Sequence, residues 1–128
     1  MIAACLLLLL ALPVHEETAI AEAVAENVRP ELQADGVKLL RAIRRAENGG
    51  HGREWGIMNA KADTLRKQAG WCAATFQKNW DRWSATDRAV PFLVFFAGRY
   101  APEGVLNDPD QLNQFWLGNV IIFLEEQN

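Results

Sequence analysis

Between Leu65 and Trp83 the residues Leu65, Ala69, Cys72, Phe76, Trp80 and Trp83 recur at intervals of three and four, the period of one helix face, and no stretch of the chain alternates as a half-buried strand does. That pattern restricts the chain to helix packed on helix. Asp63 or Thr64 is placed to cap this helix. Ser84 and Asp87 are read as opening the next one, through Phe92, Leu93, Phe95 and Phe96, with Pro91 tolerated in its first turn. Its nearly continuous apolarity predicts a place at the centre of the core. Arg99 to Leu106 reads as loop. Asn107-Asp108-Pro109 then caps a last helix carrying Leu112, Trp116, Val120 and Phe123, to about Glu125.

Upstream, Pro30, Asp35 and Gly36 mark the entry to a helix in which Val37, Leu40 and Ile43 form a stripe that Glu47 continues. Glu16 to Val28, rich in Ala and Glu, favours helix, but its thin apolar stripe also fits a spacer. The expected fold is all-α, with four to five helices after an apolar N-terminal segment, divided into residues 1–25 and a domain over 26–128. At 128 residues, half of them hydrophobic, the chain can bury a core of its own.

A net charge of −3 with no long basic run argues against electrostatic binding to nucleic acid or anionic membrane. Cys5 and Cys72 are too few and too far apart for a disulfide framework, and Cys72 falls on an apolar stripe as a buried thiol would. Neither they nor His15 and His51 have metal-ligand spacing, so no metal or other cofactor is expected. Ile2 to Val14 is apolar, too short to span a bilayer and close in length to the core of an export leader, with small-x-small sites at Ala19-Ile20-Ala21 and Ala23-Val24-Ala25. Basic residues before that core are missing, and a core helix is the alternative.

The chemistry centres on Ala46-Glu47-Asn48-Gly49-Gly50-His51-Gly52-Arg53-Glu54-Trp55-Gly56-Ile57-Met58. Glu47 lies on the buried side of its helix and at its C-terminal end. Desolvation and the negative end of the helix dipole both raise a carboxyl pKa, as a general acid near neutral pH requires. The plain alternative is a solvated Glu47 paired with Arg44 or Arg45.

A helix-terminal Glu followed by a Gly-rich turn and Trp55-Gly56-Ile57-Met58 resembles the signature of the goose-type lysozyme and soluble lytic transglycosylase superfamily. In that family a Glu-Ser pair precedes a Gly-Leu-Met-Gln segment lining the cleft; here Asn48 stands at the Ser position and Asn59 at the Gln position. Tyr100-Ala101-Pro102-Glu103-Gly104, ahead of the last helix, is similar to the family's Ala-Tyr-Asn-Ala-Gly element, whose Tyr approaches the catalytic Glu.

The resemblance implies a small muralytic domain acting on peptidoglycan glycan strands at the bond between N-acetylmuramic acid and N-acetylglucosamine. Glu47 would be the acid/base; Tyr100, Trp55, Gly56, Met58, Asn59 and Glu54 would bind substrate. A monomer is expected, exported or phage-associated, touching membrane only through a leader. A hydrolase needs a second carboxylate, for which Glu54 and Asp63 are the candidates, although Glu54 also fits a pair with Arg53 or Arg45, and Asp63 a cap. Without one, single-Glu transglycosylation is favoured. Among the five tryptophans, Trp71, Trp80, Trp83 and Trp116 read as core and Trp55 as cleft wall or core. The alternatives are an N-acetylglucosaminidase and an inactive helical module of the same fold.

Overall fold

The computed structural model describes residues 12–47, 49–105, 108 and 111–128. Among these the chain is all-α: α1 (Val14–Asn27), α2 (Gln33–Ala46), α3 (Leu65–Ser84), α4 (Phe92–Tyr100) and α5 (Trp116–Glu125), with 3-10 turns at Pro30–Leu32 and Leu112–Phe115. Cys5, Asn48, Asn107, Pro109 and residues 2–11 of the apolar run lie outside the described residues. No helix among the described residues is long and apolar enough to cross a membrane.

The predicted stripe of α3 is buried at Ala69, Cys72 and Phe76, and Thr64 caps the helix by accepting the Lys67 N–H at 3.2 Å. Asp63 is exposed and pairs with Lys67 at 3.2 Å. Trp71 differs from the expectation of burial. It sits one position off the stripe and keeps 38% of its surface exposed.

α1 is no spacer. Ile20, Ala23 and Val24 are fully or almost fully buried, the helix packs along α3 and α2, and its Glu16 is buried against Arg44 with Oε1 to Nε at 2.5 Å. The division at residue 25 falls inside this helix, as do both small-x-small sites, so a cut at either would strip core side chains from the fold.

α4 starts later than expected. Val90 precedes a proline and is biased away from helix, Arg88 turns the chain at φ +58°, and Pro91 is the residue before the first turn. It also runs further, so Arg99 and Tyr100 are helical rather than loop. Only Phe96 on it is fully buried and Val94 is 47% exposed, so α4 flanks the core instead of forming its centre. Its Phe92, Phe96 and Tyr100, spaced four apart, extend an aromatic ladder from Trp80 and Trp83 of α3 to Trp116 of α5. The last helix begins at Trp116, because Leu112 to Phe115 adopt a tighter turn whose first N–H groups, from Leu112 and Asn113, are accepted by the Asp108 carboxylate at 2.9 and 3.0 Å. Leu112 is consequently exposed.

Candidate active site

α2 ends at Ala46, and Glu47 turns out of it in an extended conformation while its own N–H still bonds the Ile43 carbonyl at 2.8 Å. Glu47 therefore stands just past the C-terminal end of α2, the negative end of the helix dipole. Three other segments enclose it. Trp116 of α5 donates its indole N–H to Oε1 at 2.9 Å. Gly56 of the connecting loop packs flat against the carboxyl: a Cβ there would lie 2.6 Å from both Cδ and Oε2, and its φ of +72° also demands glycine. Tyr100 of α4 stacks on Trp116, ring centroids 5.2 Å apart. Burial pushes the Glu47 carboxyl above its ordinary range, and the Trp116 N–H offsets part of that rise. The three arginines on its helix have other contacts: Arg41 with Glu17, Arg44 with Glu16 and the Glu54 carbonyl, while the Arg45 guanidinium stands 5.8 Å over the Phe123 ring.

The loop keeps its position because a buried glutamine grips it. Gln68 Oε1 accepts the N–H groups of Trp55 and Ile57 at 3.2 and 3.1 Å, and its Nε2 donates to the carbonyls of Ile57 and Ala62 at 2.8 and 2.6 Å. Gly56 is thus held from both sides.

Glu47, Gly56, Met58 and Tyr100 line one cleft of about 240 Å³, with Arg53, Gly49, Ala101, Pro102 and Asn113 completing its wall. Four of the residues proposed from sequence therefore meet. Three do not. Trp55 is fully buried, its indole N–H donated to the Leu40 carbonyl at 2.9 Å, so it is core and not cleft wall. Glu54 is 5% exposed and turns its carboxylate back onto the Gly52 N–H, at 3.0 and 3.1 Å from its two oxygens, on the side of Glu16 and Arg44. It pairs with neither Arg53 nor Arg45 among the described ion pairs. Asn59 is exposed and closes a turn by accepting the Lys61 N–H at 2.9 Å.

Tyr100 lines the cleft, but its hydroxyl is committed to the connecting loop. Its hydroxyl donates to the Trp55 carbonyl, beside the Cys72 thiol, and burial drives the phenol pKa well up and the thiol to about 12. The donor that holds the Glu47 carboxyl is Trp116, which sequence reasoning assigned to the core alone. Gln68 was also missed, although a polar residue between Leu65 and Cys72 on the apolar face was a signal for it. Arg53 gave no signal beyond lying in the Gly-rich loop.

No protein-family model, curated protein or solved structure matches the chain.

Proposed function

We propose that this protein cleaves the β-1,4 bond between N-acetylmuramic acid and N-acetylglucosamine in peptidoglycan, as a transglycosylase with Glu47 as acid and then base. The reading rests on one observation: a carboxyl with a raised pKa, fixed by an indole N–H and a glycine, opens into a cleft of its own. With Oε1 occupied by Trp116, Oε2 is the oxygen that carries the proton. It passes that proton to the glycosidic oxygen as the C1–O bond breaks toward an oxocarbenium-like state. The resulting carboxylate takes the proton of the sugar's own C6 hydroxyl as that oxygen closes on C1, giving a 1,6-anhydro product and restoring neutral Glu47. Among the described residues lining the cleft Glu47 is the sole acid, which favours this route over hydrolysis. Such a substrate lies outside the cytoplasm, so an exported or phage-associated protein follows from the same reading.

Mass spectrometry of products from purified sacculi tests it: 1,6-anhydromuramyl ends are expected from the protein and none from Glu47→Gln. Reducing N-acetylglucosamine ends would identify an N-acetylglucosaminidase instead. One observation favours the inactive-module reading, namely that about 240 Å³ is smaller than most ligand pockets, which span roughly 300–1,000 Å³. Intact sacculi after prolonged incubation with folded protein would establish that reading.

A further inference from the structure

Arg53 is tied to its neighbours through both its backbone and its side chain. Its N–H bonds the Gly50 carbonyl at 2.9 Å and its carbonyl accepts the Gly56 N–H at 3.0 Å. Gly49 is pressed so closely onto it that a Cβ there would come within 1.8 Å of the Arg53 carbonyl oxygen. The side chain is anchored as firmly, since Nη1 donates to the carbonyls of Gly52 and Ala62 at 2.7 and 3.2 Å. The guanidinium has five N–H donors, and those bonds engage Nη1 alone. No carboxylate pairs with Arg53 among the described residues; Asp63, the acid that senses its charge, is bonded to Lys67. Arg53 is half-buried and is one of the residues that line the cleft of Glu47.

We infer that Arg53 forms an anion subsite in the Glu47 cleft, taking a carboxylate carried by the sugar beside the cleaved bond. A fixed guanidinium with free donors matches a carboxylate bidentately, and holding it in advance spares the cost of ordering it on binding. A neutral sugar would leave those donors to be desolvated without a partner. Phosphate is the other common partner of such a fork, but on the glycan reading of the Glu47 site the anion adjoining the bond is the carboxylate of the acidic sugar, which is free only where the strand carries no peptide on it. The inference rests on that reading for the identity of the sugar polymer only.

The test compares glycan strands stripped of peptide, which carry free sugar carboxylates, with the same strands after those groups are converted to neutral methylamides. The protein should prefer the acidic strands by about tenfold in kcat/KM, the size of one charge-assisted hydrogen-bonded contact. Arg53→Gln should bring the two substrates to the same low value. Arg53→Lys, which keeps the charge without the fork, should recover part of the preference. Binding of both strands to Glu47→Gln protein repeats the comparison without turnover, so a failure of the Glu47 assignment does not remove this test. Equal affinity for acidic and neutral strands in the parent, or an undiminished preference in a folded Arg53→Gln protein, would overturn the inference. The parent's own discrimination needs no variant and decides the matter even where Arg53→Gln fails to fold.

Discussion

Gly56→Ala isolates the contact on which the site depends. Its new Cβ would stand 2.6 Å from Oε2 of Glu47, against an ordinary contact of 3.4 Å or more, so either the carboxyl or the loop must move by most of an ångström. The loop is the stiffer of the two, because Gln68 bonds the backbone of Trp55 and of Ile57 on both sides of the substitution. The carboxyl therefore retreats, and its 2.9 Å bond to Trp116 is stretched or lost. A displacement of about 1 Å in a reacting group costs on the order of a hundredfold in rate. Alanine at φ +72° adds a backbone cost of about 1–2 kcal/mol, roughly 4–8 °C in melting temperature. Gly104→Ala is the matched control, with φ +73° and nothing within 4 Å of its Cβ, so it carries the backbone cost without the contact. Sacculus turbidity and thermal melting of the two variants should show the backbone cost in both, with the further loss of stability and the large loss of activity confined to Gly56→Ala. Equal activity in the two would refute the argument that Gly56 positions the acid.

Glu47→Gln should lose roughly two to four orders of magnitude in rate and also change how stability depends on pH. Because burial raises the folded-state pKa above 4.5, the stability associated with Glu47 is complete below about pH 4.5 and is lost as pH rises through the folded value; Gln removes that loss, so the variant should gain on the parent as pH rises above about 4.5 in denaturant melts. A difference that does not vary with pH would contradict the raised pKa. Trp116→Phe deletes the N–H that holds the Glu47 pKa down, so the high-pH limb of the rate profile should move to higher pH, and a shift to lower pH would refute the assigned bond. Tyr100→Phe leaves the Trp55 carbonyl without its donor and should cost about 1–3 kcal/mol in stability, with the smaller effect on activity; a variant as stable as the parent would refute the Tyr100 to Trp55 bond.

What could be read in advance follows from which properties repeat along the chain. The α3 stripe repeats, so its helix, its cap and its buried residues were legible; the same holds for α2, although Glu47, expected in its last turn, stands just past its end in an extended conformation. Before α4, Ser84 and Asp87 each offered a helix start ahead of Pro91, so its start was misplaced, and the near-continuous apolarity from Phe92 to Phe96 led to an overestimate of its depth. Trp55, open between cleft wall and core, proved to be core, and Trp71, expected in the core, is partly exposed. A tryptophan in a loop is buried or not according to where distant elements leave space, here beside Leu40, which nothing local encodes. Trp71 was legible in principle, because the α3 register turns position 71 away from the face that contains Cys72. Glu54 was not: the turn that folds its carboxylate onto Gly52 depends on glycine conformations that composition does not fix.

The aromatic ladder links this uneven legibility to the proposed chemistry. Phe92, Phe96 and Tyr100 hold their mutual spacing because α4 is helical, and Trp116 rests on Phe96 and Tyr100 at centroid distances of 6.1 and 5.2 Å. The direction of the Trp116 N–H is therefore set by α4, an element that contributes no charge to the cleft. Tyr100 serves the same end twice, once by stacking on Trp116 and once by fastening the loop through the Trp55 carbonyl next to Gly56. Both the donor and the wall of the Glu47 carboxyl thus depend on one side chain that touches neither oxygen through its hydroxyl. A raised carboxyl pKa costs folding free energy at neutral pH, and such a state persists only where packing around it is strong enough to prevent the carboxyl from swinging into water. Here that packing is aromatic and comes from α3, α4 and α5, so the acid proposed for catalysis is maintained by the part of the core furthest from it in sequence.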